Sequence, residues 1–297
     1  MVEYFRDQFF GLPPVALEAA QVVFLPLPFD LTVTYGRGSA GAPERILETS
    51  YQLETFDEET HVDFAEAPRI FVAPAVHPRD GEPPTGYLAR VSDAVRDLPP
   101  ARFLLSVGGE HLVTYGIVRG LYSENELRDL TIVQIDAHCD LIDQLEGEQW
   151  SHGTVMRRLL AHGCRFIQIG VRSLSKEEYL LAQGNPNIDI YYAHELHQRR
   201  QALLSRLADL TGDVYVSFDV DGLDPSVIWS TGTPQPDGLS WQEAMAVLRA
   251  LFSNRRCCIR AADLVEFIPD PNPPGCDTTA CKIISRMLAY WWTGQSR

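Results

Sequence analysis

Short runs of apolar residues, rich in β-branched and aromatic side chains, alternate with helical patterns along the whole chain. The runs predict eight strands, at 21–27, 69–76, 102–107, 131–135, 165–171, 188–192, 214–220 and 258–265. Several runs are almost entirely apolar, which is typical of central strands in a parallel sheet that is covered on both faces. The alternation predicts a three-layer α/β/α fold, built as a single domain over residues 1–297 around a mainly parallel sheet of about eight strands.

Helices are predicted between the strands from apolar spacing and from end signals. They are expected at 86–98, at 153–163, at 195–210, from about 241, and from about 277 to the apolar letters LAYWW. Ser240 and Glu243 form a capping box at the start of the fourth helix, while Gly163 and Gly212 are expected to end the second and third. Proline clusters at 83–84, 99–100 and 269–274 are interpreted as loops.

The chain carries a net charge of −15, from 25 basic and 40 acidic side chains. Nucleic acids and anionic membranes both bind basic surfaces, so the composition argues against them as partners. An acidic surface favours a cationic substrate through long-range steering, although it can equally serve solubility alone.

Cysteine usage and the chain start point to the cytoplasm. The six cysteines include no C-x-x-C pair, and Cys257 and Cys258 are adjacent, so they do not form a secreted disulfide framework. The first residues lack a basic region followed by an apolar stretch, and no apolar run approaches the roughly 18 residues of a membrane helix. We therefore expect a soluble, cytoplasmic protein.

The first polar constellation is TIVQIDAHCD, in which an apolar strand runs into Asp136, His138 and Asp140. Residues two apart on an extended chain point to the same side, so these groups can converge on one point. Gathered carboxylates repel and lose solvation unless a cation joins them. The alternative interpretation is an acidic turn that a histidine caps.

The second constellation is VYVSFDVDGLDP, where a strand ends in Asp219 and Asp221, again two apart. Two carboxylates on one side of an apolar strand are costly without compensation, although a single D-x-D can also be a solvated loop. Asp224 and Pro225 are interpreted as a turn, because proline restricts φ and aspartate favours turns.

The third constellation is RFLLSVGGEHLV, where Gly108 and Gly109 permit a tight turn from strand to helix before Glu110 and His111. These glycines do not form a phosphate cradle, because neither G-x-G-x-x-G nor a Walker lysine follows. A lone histidine at a helix start is more often structural, so His111 gains weight only from the other two constellations.

Together the three segments bring two imidazoles and four carboxylates to the C-terminal ends of strands, at one edge of a parallel sheet. The candidate metal ligands are His111, Asp136, His138, Asp140, Asp219 and Asp221. Two cations bridged by shared carboxylates are the usual solution for such a set, and oxygen-rich ligands favour a fairly hard divalent ion. We expect two Mn²⁺ ions, with Zn²⁺, Co²⁺ or Fe²⁺ as alternatives. Cys139 lies between His138 and Asp140 in the sequence, so its side chain should point to the opposite side of the extended chain, away from the metal site.

The motifs GGEH, DAHCD and SFDVDGLDP, in this order and spacing, resemble those of the ureohydrolase family of arginases, agmatinases, guanidinobutyrases and formimidoylglutamases. Further similar segments cover most of the chain, among them LPLPFDLTVTYGRGSAGAPERI, STGTPQPDGLS and ADLVEFIPDPNPPGCDTTACKI. The segment WSHGTVMRR is closest to the agmatinase version. The resemblance implies trimers or hexamers, in which the apolar letters LAYWW could belong to an interface or to the core.

The resemblance also implies a role for each site residue. One Mn²⁺ would be held by His111, Asp136, Asp140 and Asp219, and the other by Asp136, His138, Asp219 and Asp221. Asp136 and Asp219 would bridge the ions. Glu266 would pair with the substrate guanidinium, and His152 would take part in proton transfer, although each could instead be a structural residue.

The implied reaction is hydrolysis of a guanidinium group to urea and an amine. A guanidinium carbon is a poor electrophile, and two Mn²⁺ ions lower the pKa of a shared water enough to supply hydroxide. Glu266 would orient the guanidinium, while Asp140 would accept the proton and pass it to the leaving amine. His152 would then exchange protons with solvent or assist product release.

The substrate tail is predicted from what the chain lacks. Arginases contact an amino-acid head group through an asparagine soon after DAHxD and an acidic residue after G-[LV]-R, but Leu141, Ile142 and Leu174 stand there instead. Agmatine is therefore the expected substrate, with putrescine and urea as products. Aminopropylagmatine is a close alternative, guanidinobutyrate would require a basic residue at the mouth, and arginine is disfavoured.

Two other classes of protein remain as alternatives. A non-catalytic homologue could keep the fold for assembly or regulation, but the chain retains all six ligand positions together with His152 and Glu266. A bimetal phosphoesterase should carry Arg or Lys beside the ions, and these loops have none except Arg157 and Arg158 downstream.

Overall fold

The computed structural model describes residues 5–99, 102–270 and 275–295. Its centre is an eight-stranded sheet of order β2-β1-β3-β8-β7-β4-β5-β6, in which every strand pairing is parallel. The strands are β1 Val22–Leu27, β2 Ile70–Val72, β3 Phe103–Gly108, β4 Thr131–Ile135, β5 Arg165–Val171, β6 Ile188–Tyr192, β7 Gly212–Asp219 and β8 Cys257–Val265. The predicted fold class is confirmed.

Nine α-helices within the described ranges connect and cover these strands. They are α1 Ala42–Ser50, α2 Pro84–Arg96, α3 Val113–Leu121, α4 Glu124–Leu127, α5 Val155–Leu160, α6 Lys176–Gly184, α7 Leu196–Ala208, α8 Trp241–Ser253 and α9 Asp277–Gln295. Among the residues described, none of the helices combines the length and apolar character needed to cross a membrane.

Apolar side chains alternate between the two faces of the sheet and form one core cluster on each face. On β7, Val214, Val216 and Phe218 pack in the cluster that also contains residues of α1, α7, α8 and α9. Tyr215 points to the opposite cluster, with residues of α2, α3 and α5. Because both faces are covered by helices, the central strands are buried and three layers result.

Most predicted strands lie within a residue or two of the observed ones, but the strand expected at 69–76 is wrong in extent. β2 covers only Ile70–Val72 at the edge of the sheet. Pro74 has no N–H to donate, so the regular ladder stops there. The backbone still follows β1 for a few residues, because Ala73 N–H donates to Phe24 O and Val76 N–H to Pro26 O.

The capping box at Ser240 is confirmed, since Ser240 Oγ accepts from Glu243 N–H and the Glu243 carboxylate accepts from Ser240 N–H. Other predicted helix limits need correction. The stretch 153–163 forms a 3₁₀ turn at His152–Thr154 and then the short helix α5. Gly212 starts β7 and does not cap a helix, since α7 ends at Ala208.

The proline cluster at 83–84 is also not simply a loop, because Pro84 is the first residue of α2. A proline fits this position, where its missing N–H would have had no partner within the helix. Pro99 is described without regular structure, whereas Pro100 and residues 271–274 of the other two clusters lie outside the described residues.

Three helices, α1, α4 and α6, had no counterpart in the prediction, and of α3 only the start near His111 was predicted. In α3 the helical pattern is broken by Gly116 and Gly120, residues that weaken an isolated helix. Both glycines face α2: an added Cβ at Gly116 would lie 3.0 Å from Val91, and one at Gly120 only 2.6 Å from Val95. Tertiary packing therefore stabilises a helix that local propensity does not favour.

The apolar letters LAYWW belong at least partly to the core. Leu288, Ala289 and Tyr290 are buried on α9, and Trp291 stacks on Phe103 with ring centroids 4.8 Å apart. All six cysteines are free thiols.

A buried ion pair attaches α9 to the loop before β2. Arg286, only 5% exposed, donates from Nη1 to Asp57 Oδ1 at 3.0 Å and to Glu59 Oε2 at 3.1 Å. Asp57 is 2% exposed. Without Arg286, the buried Asp57 carboxylate would lose its hydrogen-bonded cation and keep, of its cationic partners, only the longer contact to Lys282, whose Nζ lies 3.9 Å from Asp57 Oδ2.

We therefore predict that Arg286→Met lowers the free energy of unfolding by about 3 kcal/mol, measured by denaturant titration. The matched control is Arg96→Met, because Arg96 pairs with Asp93 at 2.7 Å on the surface, where both side chains are mostly exposed. Exposed pairs contribute little, so the control should unfold at the original midpoint. Equal losses in the two variants would contradict the prediction.

Candidate metal centre

The candidate site lies at the C-terminal ends of four adjacent central strands, β3, β8, β7 and β4. Asp136 follows β4, Asp219 ends β7, Glu266 follows β8, and His111 lies in the turn between β3 and α3. A parallel sheet brings all these ends to one edge, which is where such folds bind ligands.

One group of side chains surrounds the imidazole of His111. Its Nδ1 lies 2.9 Å from Asp140 Oδ2, 3.2 Å from Asp136 Oδ2 and 3.4 Å from Asp219 Oδ2. All four residues are buried. The ligand atoms of His111, Asp136 and Asp140 lie within 4.8 Å of one another and could hold one metal ion, and Asp219 is adjacent to His111.

A second group surrounds His138, whose Nδ1 lies 3.0 Å from Asp221 Oδ2 and 3.5 Å from Asp136 Oδ1. Asp136 thus directs one oxygen to each imidazole. Asp221 is held by the backbone, since its Oδ1 accepts from Ala137 N–H and its own N–H donates to Asp219 Oδ1. The six residues predicted from sequence are all brought together.

The electrostatics of this cluster favour cations. Burial, with the charge of Asp136 beside it, raises the pKa of Asp140 to about 7, and burial raises the pKa of Asp219 well above its usual range. His111 Nδ1 is buried and has no hydrogen-bond partner, although three carboxylates face it. These residues fit two divalent ions, one beside each imidazole, because cations would satisfy this nitrogen and offset the repulsion.

Two acidic residues of the site have strained backbones. Asp140 has φ 53° and Glu266 has φ 63°, in the left-handed region that favours glycine. Such strain persists where the surrounding structure over-determines a residue, and it is concentrated at functional sites. The turn after each strand therefore directs a carboxylate into the site at a cost in local stability.

Glu266 lies beside the cluster, and its Oε1 accepts from His111 N–H at 2.7 Å. The side chain lines the cavity, yet the residue is only 8% exposed. Burial raises the pKa of Glu266 to about 8, so a nearby cation would favour its charged form.

His152 also lines the cavity, and its Nδ1 lies 3.2 Å from Thr32 O. A carbonyl oxygen only accepts, so Nδ1 carries the proton and Nε2 presents a lone pair. Burial lowers the pKa of His152, which keeps the imidazole neutral at pH 7.

Glu110 supports this arrangement, a role that sequence reasoning missed. The carboxylate is completely buried and accepts from Thr32 N–H at 3.0 Å and from Thr32 Oγ1 at 2.6 Å. It thereby fixes the loop whose carbonyl orients His152. Gly109 allows the loop to approach, since an added Cβ would lie 1.9 Å from Phe29 O. No local signal identified Glu110, because Thr32 is distant in sequence.

The cavity over the cluster has a volume of about 220 Å³. Outside the residues already described, it is lined by Thr34, Ile142, Leu145, Gly153, Ser173, Leu174, Ser175, Glu178 and Thr233. None of the described lining residues is Lys or Arg. Cys139 lies away from the site in the apolar cluster, as its parity predicted.

Glu178 is a second acidic residue that sequence reasoning missed. It is 3% exposed, and its carboxylate accepts from Leu141 N–H at 3.0 Å and from Ser175 N–H at 2.7 Å. The S-x-x-E spacing of Ser175 and Glu178 is a capping-box signal that could have revealed α6.

The chain matches the Arginase family over residues 20–289. It is 31% identical over 283 residues to an N(1)-aminopropylagmatine ureohydrolase of Synechocystis sp., covering 94% of this chain and 91% of that protein. It is 32% identical over 280 residues to an agmatinase of Bacillus subtilis, covering 91% and 92%.

The fold is shared with solved structures. An agmatine ureohydrolase of Thermoplasma volcanium superposes with a TM-score of 0.83 at 24% identity, over 100% of this chain and 96% of that one. The match to the family over most of the chain, with two relatives above 30% identity, confirms the resemblance seen in the motifs. The chain therefore belongs to the arginase family and is a ureohydrolase.

Proposed function

We propose that this ureohydrolase cleaves agmatine to urea and putrescine at a centre of two Mn²⁺ ions. The observation that carries the proposal is the cavity itself. It brings Glu266 and the cluster of imidazoles and carboxylates to one space, and none of its described lining residues is basic.

We assign the ligands according to the family resemblance. His111, Asp136, Asp140 and Asp219 would hold one ion, and Asp136, His138, Asp219 and Asp221 would hold the other; the place of Asp219 in the second set rests on the resemblance alone. Support comes from the spacing of 2.9 to 3.5 Å between imidazole nitrogens and carboxylate oxygens. When bound, the two ions supply Lewis acidity and a hydroxide nucleophile at neutral pH.

The side chains of the protein bind the substrate and move its protons. Glu266 binds the planar guanidinium through charge-assisted hydrogen bonds and presents its carbon to the nucleophile. The Asp140 carboxylate accepts the proton of the nucleophile and delivers it to the leaving amine. His152 exchanges protons with solvent through Nε2, a role supported by its neutral state and by its hydrogen bond to Thr32 O.

The tail of the substrate is selected by charge. Among the described lining residues outside the ligand set and Glu266, Glu178 is the one carboxylate, and none of the described lining residues is Lys or Arg. A primary ammonium suits such a cavity, whereas the carboxylates of arginine and guanidinobutyrate do not. The absence of Lys and Arg from the described lining also argues against a phosphoesterase.

Aminopropylagmatine is the second candidate, because it keeps the same guanidinium and a cationic tail. It is favoured by the similarity of this chain to the N(1)-aminopropylagmatine ureohydrolase of Synechocystis sp.. A longer tail would extend from the cavity toward solvent, where the acidic surface suits its additional ammonium.

We also propose that residues 1–297 form one domain of a cytoplasmic homo-oligomer, a trimer or a hexamer. The continuous sheet with a core cluster on each face supports a single domain. The six free thiols support a reducing compartment, and the family resemblance supports the oligomer.

Substrate choice is tested by urea release with Mn²⁺ from agmatine, aminopropylagmatine, arginine and guanidinobutyrate. We expect agmatine to give the highest kcat/KM and aminopropylagmatine the next. Arginine and guanidinobutyrate should be about 100-fold poorer, because bringing like charges together costs several kcal/mol. Aminopropylagmatine ranking first would replace agmatine as the substrate, and comparable activity on guanidinobutyrate would refute charge selection.

The role of Glu266 is tested by Glu266→Gln, which keeps an oxygen to accept from His111 N–H but removes the charge. We expect kcat/KM to fall about 150-fold, equivalent to about 3 kcal/mol, because a buried charge pair loses one partner. Bound Mn²⁺ should be unchanged. The control is Glu177→Gln, an exposed change on α6 that should leave kcat/KM unaltered. Retention of full activity by Glu266→Gln would refute the assignment.

The metal centre is tested through stability, measured by denaturant unfolding with chelator and with Mn²⁺. At 100 times the dissociation constant, one bound ion stabilises a protein by about 2.7 kcal/mol. We expect Asp219→Asn to lose most of this gain and, in chelator, to be at least as stable as the unaltered chain, because it relieves repulsion.

The control for this measurement is Asp224→Asn. Asp224 belongs to the same segment but accepts hydrogen bonds from Ser226 in its own turn. Its variant should keep the stabilisation by Mn²⁺ even if the turn itself weakens. If Asp219→Asn gained as much from Mn²⁺ as the unaltered chain, the proposed ligand set would be wrong.

A further inference from the structure

A row of polar residues crosses the middle of the otherwise apolar sheet. Each member occupies the same register position on its strand: Ser106 pairs with Asp263, Asp263 with Ser217, Ser217 with Gln134, and Gln134 with Gln168. We call these five residues of β3, β8, β7, β4 and β5 the polar row. All five are completely buried.

The polar row lies directly beneath the candidate metal centre. Gln134 and Ser217 each precede a proposed ligand, Asp136 and Asp219, by two positions along an extended strand. The row is confined to this part of the sheet, since the next strand on either side carries Leu25 or Ile190 in register. Burying polar groups is costly unless they are hydrogen-bonded, so a confined row calls for an explanation.

One arm of the row ends in the carboxylate of Asp263. Its Oδ2 accepts from Thr114 Oγ1 and from Tyr215 Oη, each at 2.6 Å, and its Oδ1 accepts from Ser217 Oγ at 2.8 Å. Ser217 Oγ also lies 2.8 Å from Nε2 of His111. The carboxylate is therefore connected to a proposed metal ligand through a single hydroxyl.

The number of available protons determines which group donates in each hydrogen bond of this arm. A hydroxyl has one proton, and Ser217 gives it to Asp263, because a carboxylate only accepts. Ser217 Oγ must then accept from His111 Nε2, which carries the imidazole proton. Nδ1 is left with its lone pair directed at the carboxylates of Asp136, Asp140 and Asp219, which is the form that a metal ion requires.

The other arm ends at the carboxylate of Asp136. Gln134 Nε2 donates to Asp136 Oδ2 at 2.6 Å, and Gln134 Oε1 accepts from Gln168 Nε2 at 2.6 Å. Gln168 is itself anchored, since its Nε2 also donates to Cys139 O at 2.7 Å. The carboxylate accepts only, so each amide has one orientation that satisfies the chain of donors.

We propose that the polar row is a positioning layer for the metal centre, in which Asp263 acts through Ser217 to hold His111 in its metal-binding tautomer. The second arm orients the oxygens of Asp136, and Ser106, whose hydroxyl has no partner among the described residues, takes no part. The inference rests on the proposed function only in requiring that the cluster bind divalent ions.

Asp263→Asn is the most informative variant. It conserves the shape of the side chain but reverses the donor and acceptor roles in the hydrogen bonds that connect residue 263, Ser217 and His111. The amide oxygen best replaces Oδ2, where two hydroxyls donate, so the amide N–H₂ faces Ser217. Ser217 must then donate to His111 Nε2, and the proton moves to Nδ1, where the ion should bind. Removing the analogous orienting carboxylate in serine proteases likewise yields the wrong tautomer.

The measurement is the affinity for Mn²⁺, with free Mn²⁺ quantified by electron paramagnetic resonance. We expect Asp263→Asn and Ser217→Ala each to weaken binding by about 10- to 100-fold, the usual effect of losing a partner of a metal-binding histidine. Both changes break the same series of hydrogen bonds. The double variant of Asp263→Asn and Ser217→Ala should therefore have about the same Mn²⁺ affinity as the single variant that binds Mn²⁺ more weakly.

Thr114→Val is the matched control. It removes a hydrogen bond to the same carboxylate, at 2.6 Å, but that hydroxyl does not contact His111. If Asp263 had only a structural role, Thr114→Val and Ser217→Ala should weaken Mn²⁺ binding equally. If Asp263 positions His111, Thr114→Val should bind Mn²⁺ nearly normally. Ser217→Thr, which keeps the hydroxyl, should retain most of the affinity.

Normal Mn²⁺ affinity in Asp263→Asn, or equal losses in Thr114→Val and Ser217→Ala, would overturn the inference while leaving the proposed function intact. If the unaltered chain bound no Mn²⁺, both the metal centre and this inference would fail. If Ser217→Ala does not fold, judged by circular dichroism, Asp263→Asn carries the test, and if Asp263→Asn does not fold, Ser217→Ala carries it against Thr114→Val. Normal Mn²⁺ affinity in whichever variant folds would overturn the inference.

Discussion

The repulsion among buried carboxylates at one edge of the sheet is the constraint on which the rest of the site depends. Four aspartates, each at most 6% exposed, converge there with two imidazoles. Desolvation and like charge both oppose this arrangement, and only cations offset them without protonating the ligands. The surrounding structure serves to hold these groups together, including the strained turns at Asp140 and Glu266.

The proposed ligands could be predicted from the sequence because their signal is local. Asp136 and His138, or Asp219 and Asp221, are two apart on an extended chain, and this parity alone brings them to one side. The polar row could not be predicted, although its members are visible in the strands. Ser217 and Asp263 are 46 positions apart, and their contact depends on the register between β7 and β8. A single serine in an apolar strand carries no indication of its neighbour across the sheet.

The same distinction explains the errors in secondary structure. The central strands are long apolar runs with a clear period, so their prediction is reliable, whereas β2 at the edge depends on pairing and on Pro74. Helix α3 contains Gly116 and Gly120, which local propensity treats as breakers. In the fold these glycines allow α2 to approach closely, so packing between the two helices decides the conformation.

Charge balance connects the centre to the choice of substrate. In the proposed site the two divalent ions offset the charge of the four aspartates, and Glu266 and Glu178 are the other carboxylates of the described lining. Agmatine carries two cationic groups, and the proposed function pairs the guanidinium with Glu266 and the primary ammonium with Glu178. Arginine adds a carboxylate that no basic side chain of the described lining can meet, and guanidinobutyrate replaces the ammonium with one. The proposed function therefore attributes discrimination among guanidines to the sign of the tail charge, and not to the length of the tail.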